Sequence, residues 1–370
     1  MRKLGFGLMR LPLQNPEDPK SIDLEQLMKM TDDFLAEGFT YFDTAYMYHE
    51  FQSEIAIREA LVKRHPRDHF TLTTKLPTMF LKTEEDMERI FQEQMEKCGV
   101  EFFDYYLLHN LGVSHYAIAQ KLDCFGFIQK KKAEGKIRKI GFSYHDNAEL
   151  LDEILTAHPE TEVVQLQLNY LDWEDKGIQS RKCYEVARKH EKEIIVMEPV
   201  KGGTLVNLPE QAERLLKDYA PDQSLASWAI RFAAGHDGIL TVLSGMSNLE
   251  QLRDNMSYMK HFTPLCAQEK DVLRNVVSVI HDAIAIPCTG CNYCTGGCPK
   301  QIRIPEYFAL YNAEMRAPSK GFSLQRAYYE NYAQTAGKAS DCIACGQCER
   351  QCPQHIGIIK CLQDVAAALE

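Results

Sequence analysis

Eight of the thirteen cysteines in this 370-residue chain fall into two runs of one rhythm. Cys288, Cys291, Cys294 and Cys298 are followed by Pro299, and Cys342, Cys345, Cys348 and Cys352 by Pro353. Both runs read C-x2-C-x2-C-x3-C-P. Three thiolates at that spacing sit on one tight loop and cap three corners of an iron–sulfur cubane; where two clusters share a domain, the fourth reaches across to the other. The expected ligand sets are therefore Cys288, Cys291 and Cys294 with Cys352, and Cys342, Cys345 and Cys348 with Cys298. Gly290, Gly296, Gly297 and Gly346 suit a backbone that wraps closely and aims N–H groups at sulfur. A pair of zinc knuckles is the competing use of CxxC pairs, but four-coordinate zinc asks for neither the x2-x2-x3 rhythm nor the prolines. Two [4Fe–4S] clusters are expected, with Cys361 an ordinary helix cysteine.

The rest of the composition describes a soluble enzyme. Apolar residues make up 45% and charged residues 25% of the chain, as in ordinary globular proteins. A formal charge of −10 offers no basic excess to displace counterions from nucleic acid, so no nucleic-acid partner is expected. No apolar run approaches the roughly 20 residues of a membrane span. Met1-Arg2-Lys3 opens like a signal peptide, but Arg10 cuts the apolar run short. Cysteines crowded into metal motifs fit a reducing compartment, and the expectation is a cytoplasmic protein.

Elements must position these residues. Up to residue 262, short β-rich runs alternate with amphipathic ones. Strand candidates are Lys3–Leu8, Thr40–Thr44, Phe70–Lys75, Tyr105–His109, Ile137–Ser143, Val163–Leu168, Ile194–Glu198 and Ile239–Ser244. Helical patterns run between them, among them 24–35, 87–98 and 117–133. Eight strand–helix units in roughly 260 residues predict a (β/α)8 TIM barrel, an α/β fold. No G-x-G-x-x-G follows the first strand to support a doubly wound sheet. The expected domains are the barrel at 1–262, a helical connector at 263–286, and a smaller, mostly helical cluster domain at 287–370. Helical patterns at 305–315 and 324–334 make that last domain resemble the helical dicluster ferredoxins of respiratory reductases more than the compact βαβ type.

A carbonyl that accepts hydride becomes an alkoxide and needs a proton donor within hydrogen-bond reach. A phenol near pKa 10 is a poor acid at neutrality unless a cation lowers it. Asp43-Thr44-Ala45-Tyr46-Met47-Tyr48 carries such a phenol and resembles the aldo-keto reductase signature D-T-A-x-x-Y. Lys75, in Thr73-Thr74-Lys75-Leu76, and His109, closing Tyr106-Leu107-Leu108-His109, are similar to that family's strand-three lysine and strand-four histidine. The resemblance implies Tyr48 as general acid, Lys75 lowering its pKa, Asp43 holding Lys75, and His109 orienting the carbonyl. All four fall at the C-terminal ends of strands, the catalytic face of barrels. Singly, His109 reads as a core histidine and Asp43–Lys75 as a structural pair; four in register favour the set.

The resemblance covers residues 3–260 and extends to a nicotinamide site. It implies cofactor contacts from Gly7, from Ser143 of Gly141-Phe142-Ser143, from Gln165, and from Met197. It also implies contacts from the Gly202-Gly203 loop, and from Gly245, Gln251 and Asn255 around the adenosine. Tyr144 and His145 follow Ser143 where the family often has Asn, and Met197 replaces a stacking aromatic residue. The Lys near Gly245 and the Arg near Gln251 that hold a 2′-phosphate in many members are missing. NADP(H) is the first expectation and NAD(H) the alternative.

Hydride carries two electrons and a cubane one, and a flavin ordinarily splits such a pair; a flavin is left open, with no motif to support it. Three readings follow. The clusters could wire the barrel to an external ferredoxin or other electron-transfer partner. They could be structural or redox-sensing beside a stand-alone carbonyl reductase. Or the barrel could be a non-catalytic nicotinamide sensor, which the complete tetrad disfavours. The substrate is expected to be a small carbonyl or alcohol, chosen by mouth loops such as Met9-Arg10, Tyr46-Met47, 77–81 and 111–115. Arg10 could hold a substrate carboxylate, though an ordinary salt bridge is the commoner use.

Overall fold

The computed structural model describes residues 2–370 except 176, 177, 283, 284, 287, 289, 291, 317–322 and 353. Cys291 and Pro353 of the two cysteine runs, and residue 287 at the expected border of the cluster domain, thus lie outside the described residues. Eight parallel strands close into a barrel in chain order. They are β1 (Leu4–Gly7), β2 (Tyr41–Asp43), β3 (Thr71–Leu76), β4 (Phe103–Leu111), β5 (Ile137–Tyr144), β6 (Val163–Gln167), β7 (Glu193–Met197) and β8 (Ile239–Gly245). Each lies within two residues of its expected ends.

The strand runs are rich in aliphatic and aromatic residues because a barrel buries both faces of its sheet. Inward, Tyr41, Tyr105, Leu107, Val163, Ile195 and Leu243 fill the barrel. Outward, Phe6, Phe42, Leu72, Tyr106, Leu108, Phe142, Val164 and Val196 join the core shared with the helices. Where β5 meets β6 the approach is so close that a Cβ on Gly141 would stand 2.0 Å from the Val163 carbonyl oxygen, so only glycine fits.

Helix ends follow local chemistry. Asp23 caps Leu24–Ala36 by accepting from the Gln26 N–H, and that helix buries Leu27, Met30, Thr31 and Phe34 at helical spacing. The single helix expected over 117–133 is instead two, Val113–Lys121 and Cys124–Ala133. Asp123 breaks it: its backbone is left-handed (φ 49°) and its carboxylate accepts from the Gly126 N–H, capping the second helix. A short acidic side chain that can satisfy a backbone donor competes with helix continuation, which periodicity alone does not reveal.

The N-terminal end of the barrel is stapled by charge. Asp104 on β4 accepts from Arg67 at 2.7 Å, Arg138 at 2.9 Å and the Leu72 N–H at 2.9 Å. This is the stability face, leaving the opposite end for chemistry.

The chain divides into two compact units, residues 1–201 with 222–270, and residues 202–221 with 271–370. Within the second, the helices Ile304–Arg316, Leu324–Ala333 and Ile358–Leu369 gather a small core of Ile302, Ile304, Tyr307, Phe308, Tyr329, Ile358, Leu362 and Val365. Among the described residues no helix is long and apolar enough to cross a membrane.

One histidine of the first unit carries a pH prediction. The His236 ring stacks on Trp173 at 4.3 Å and meets Phe232 edge-on at 5.0 Å. Burial, then the Lys270 charge, pushes its pKa down to about 4. As pH falls below an unfolded value near 6.5, the unfolded chain takes a proton that the folded chain refuses, so stability drops from there toward the folded value. His236→Phe should remove this loss. Relative to the parent, it should gain about 1–2 kcal/mol on going from pH 7.5 to pH 5. Urea denaturation at the two pH values measures this; equal acid sensitivity in parent and variant would refute it.

Candidate active site and cluster ligands

Strand register brings the expected catalytic residues to one end of the barrel. Asp43 closes β2 beside Thr73 of β3, Lys75 lies two residues further along β3 opposite Leu107, and His109 is on β4. The Lys75 ammonium donates to Asp43 Oδ1 at 2.6 Å and to the Thr44 carbonyl at 2.8 Å, with all three residues buried. Tyr48, in the turn after β2, places its ring 5.1 Å from the Lys75 ammonium and edge-on to His109 at 6.1 Å. The four residues expected to act together do lie together.

The electrostatics differ from expectation in one respect. Burial raises the Tyr48 phenol above its ordinary value, and the charge of Lys75 and its hydrogen bond to the phenol offset this only in part. Lys75 pulls in the expected direction, but desolvation wins, so Tyr48 stays protonated through neutrality. Burial also pushes the Asp43 carboxyl up against the pull of Lys75 and Gln165. For Lys75, desolvation works against the ammonium, but Asp43 and Tyr48 outweigh it and its pKa rises. Burial, then the Lys75 charge, then His145 and His115, drive His109 well below the usual histidine range. Its ring is neutral at pH 7, and Nδ1 is buried with no hydrogen-bond partner.

Residues not singled out from the sequence hold this set. Gln94 donates to Glu54 Oε1 at 2.7 Å, to Thr74 Oγ1 at 3.1 Å and to the Lys75 carbonyl at 3.0 Å, and accepts from Tyr106 at 2.6 Å. Thr44 and Ser53 share a 2.9 Å hydroxyl bond, and Ser53 donates to the Leu8 carbonyl at 3.1 Å, tying the Tyr48 turn to β1. Thr78 donates to the His109 carbonyl at 2.7 Å. Gln94 had a visible signal: it sits on the apolar stripe Met87, Ile90, Phe91, Gln94, Cys98 of its helix, where a polar side chain must have a buried partner.

The expected cofactor residues on β1, β5, β6, β7 and β8 fall at the same end of the barrel. Ser143 on β5 lies opposite Gln165 on β6. Ser143 Oγ accepts from the Asn110 N–H at 2.7 Å, leaving its own proton to donate, and Asn110 is left-handed (φ 61°). Gln165 Oε1 is buried with no partner. An orphaned amide oxygen beside a serine hydroxyl fits a carboxamide, which would present both an N–H donor and an acceptor oxygen. Met197 ends β7, half-buried. Gly7 lies opposite Gly245 across β1 and β8. Gln251 accepts from the Ser247 N–H at 2.8 Å. Asn255 is turned inward, donating to Ser244 at 2.7 Å and accepting from Tyr258 at 2.6 Å. Gly202 and Gly203, in the second unit, are both left-handed (φ 62° and 102°). An unforeseen cluster stands beside β6: Asp172 accepts from Lys201 at 2.5 Å, Gln167 at 2.9 Å and Asn169 at 2.6 Å. Burial works against the Asp172 carboxylate, but Lys201 and the two amides outweigh it and hold its pKa down.

In the second unit the cysteines surround two cavities. One is lined by Cys298, Cys342, Cys345 and Cys348 with Ile302, Ile304 and Leu362. The other is lined by Cys288, Cys294 and Cys352 with Ile304, Phe308, Ile356 and Ile358. Each cavity thus takes the last cysteine of the opposite run, and Ile304 lines both. Cys291 is outside the described residues. Among the described residues no three His, Cys, Asp or Glu side chains stand close enough together to hold a single metal ion. Thiols spread around an apolar cavity suit a cubane better than one tetrahedral zinc, which needs four sulfurs at about 2.3 Å. Gly346 (φ 71°) supports the turn before Gln347–Gln351, and the Gly290 N–H donates to Cys288 Sγ at 3.5 Å.

A barrel with this tetrad beside a dicluster unit defines a class of oxidoreductase. The chain belongs to the aldo/keto reductase family, whose model matches residues 3–276, and it carries a 4Fe-4S dicluster domain matched over residues 287–356. It is 19% identical over 284 residues to the uncharacterized oxidoreductase YqkF of Bacillus subtilis, covering 69% of this chain and 86% of that one. Among solved structures, an aldo-keto reductase of Bacillus halodurans in its holo form aligns with a TM-score of 0.58 at 23% identity, covering 74% of this chain and 91% of that one. An aldo-keto reductase of Klebsiella pneumoniae in complex with NADPH aligns with a TM-score of 0.58 at 18% identity, over 74% and 90% of the respective chains.

Proposed function

We propose that the barrel reduces a small carbonyl compound with NADPH, with Tyr48 as the proton donor, and that the clusters pass electrons to or from an external one-electron carrier. The observation that carries the first part is the buried Asp43–Lys75 pair at 2.6 Å set against Tyr48 and His109. The NADPH complex of the Klebsiella pneumoniae enzyme supports the choice of nucleotide. A bound nicotinamide would supply hydride to the carbonyl carbon. Ser143 and Gln165 would hold its carboxamide, the first donating from its hydroxyl and the second accepting at Oε1. His109, neutral at pH 7, fixes the carbonyl oxygen by a hydrogen bond without competing for the proton. Tyr48, protonated by its burial, gives its phenolic proton to the oxygen as negative charge develops there. Lys75 stabilises the phenolate left behind, and Asp43 keeps that ammonium charged and in place.

For the second part, [4Fe–4S] groups supply one-electron transfer. The thiols of the two runs interlock around cavities that share the Ile304 side chain as a wall, which suits electron exchange between neighbouring centres. Cys345 and Ile343 beside it are exposed, offering an external carrier an approach to one of them.

Anaerobically purified protein should oxidise NADPH when an aromatic aldehyde is added and yield the alcohol. No NADPH oxidation with any of a panel of aldehydes and ketones would sink the reductase reading. An oxidised one-electron dye added to protein whose clusters have been reduced with dithionite should be reduced within the mixing time. Clusters that stay reduced would instead assign them a structural or sensing role.

A further inference from the structure

Just beyond β1, the chain sets Arg10 across the end of β8. A Cβ on Gly245 would stand 3.2 Å from Arg10 Cβ and Cδ and 3.4 Å from Cγ, so the aliphatic stem of the arginine lies over the glycine. Its backbone is fixed from the same side, because Ser247 Oγ donates to the Arg10 carbonyl at 3.0 Å. The side chain is exposed, and its guanidinium makes no ion pair among the described residues. The ordinary salt bridge expected from the sequence is not formed there. Arg10 is thus an arginine held along its stem and left open at its head.

The stretch beneath it lacks positive charge. From Gly245 to Glu250 and Gln251 there is no basic residue. The next one, Arg253, is directed to Asp33 at 3.6 Å. If the end of β8 takes the adenosine half of the dinucleotide, the 2′-phosphate that separates NADP(H) from NAD(H) would meet only Ser247, Asn248 and the carboxylate of Glu250 from β8 and the helix that follows. A phosphate dianion in that setting needs a cation from elsewhere. A guanidinium presents a planar fork matched to phosphate oxygens, and the three atoms nearest a Cβ on Gly245 all belong to Arg10.

We propose that Arg10 is the residue that recognises the 2′-phosphate: a cation supplied from the β1 loop across Gly245, which stays small so that the arginine stem can be seated. This rests on the nucleotide reading above and adds to it the residue that sets cofactor preference. Gly245 and Arg10 act as a pair, and a side chain at 245 would displace the arginine rather than the strand.

The test is calorimetric titration of the full, cluster-loaded chain with NADP+ and, separately, NAD+, neither of which requires turnover. Arg10→Ala should weaken NADP+ about ten- to hundredfold, the range of a lost charge-assisted hydrogen bond, and NAD+ less than threefold. Arg10→Lys should retain part of the preference. Equal weakening of both nucleotides would place Arg10 on the shared diphosphate and overturn the proposal, as would no change in either. A parent chain that binds neither nucleotide would overturn the nucleotide reading itself. That outcome is distinct from one in which NADP+ binds and Arg10 is indifferent.

Discussion

Tyr48→Phe is expected to lower the rate of carbonyl reduction by about 10²–10⁴-fold, the usual contribution of a positioned general acid, while the affinity for NADP+ stays within a few-fold of the parent. The substitution removes one hydroxyl and keeps the ring that meets His109 at 6.1 Å. Lys75 keeps both of its remaining acceptors, Asp43 at 2.6 Å and the Thr44 carbonyl at 2.8 Å, so no buried charge is left without a partner. Lys75→Met would be a poorer probe. It would strand the buried Asp43 carboxylate, and breaking a buried pair from one side costs about 3–5 kcal/mol. The pH profile gives a second readout. Burial holds the phenol above its ordinary value, so reduction should not decline on the alkaline side until the pH exceeds about 10. Alcohol oxidation, in which the phenolate is the base, should rise with pH over the same range. A Tyr48→Phe variant retaining a tenth or more of the parent rate would show that the proton comes from elsewhere.

The barrel was legible because its strands advertise themselves. Val163-Val164 and Ile194-Ile195-Val196 are β-branched clusters within short segments, and a parallel sheet covered on both sides buries such strands on both faces. The tetrad was legible for a different reason: an aspartate closing one strand with a tyrosine in the turn after it, then a lysine and a histidine on the next two strands, have few uses together. What escaped depends on which distant segments meet. Gln94 reaching Glu54, Thr74, Tyr106 and the Lys75 carbonyl joins residues separated by up to 40 positions, and no local pattern states that pairing. The Asp172–Lys201 pair is similar, since Lys201 reads from sequence as a loop lysine. The net shift of Tyr48 could not be read at all. It is the difference between a desolvation cost and a Coulomb attraction, and sequence supplies the sign of the second without the size of the first. Arg10 is the most instructive case. Its unpaired head and its seat over Gly245 follow from β1 closing against β8, a contact between the two ends of the barrel sequence.

Pairs of cysteine substitutions should sort by cavity rather than by sequence run. The parent chain should carry about eight irons, four per cubane. Cys298→Ser removes a ligand from the cavity lined by Cys342, Cys345 and Cys348, although Cys298 belongs to the first run. If its loss costs that cluster, iron should fall to about four per chain. Adding Cys345→Ser strikes the same cavity and should take little more. Adding Cys294→Ser strikes the cavity lined by Cys288 and Cys352 and should bring iron toward zero. Cys352→Ser gives the mirror-image pattern: little further loss with Cys294→Ser and near-complete loss with Cys345→Ser. Serine keeps the size and a weak oxygen ligand, so the apolar packing of Ile302, Ile304, Phe308 and Ile358 around the cavities is disturbed as little as the chemistry allows. If Cys298→Ser with Cys294→Ser keeps four irons while Cys298→Ser with Cys345→Ser loses all, each run holds its own cluster and the interlocked assignment is wrong. If interlocking holds, neither run can close its cluster without the other. Folding of the second unit is then coupled to iron loading, and a chain deprived of iron should lose cooperative unfolding of residues 304–369 while the barrel keeps its own transition.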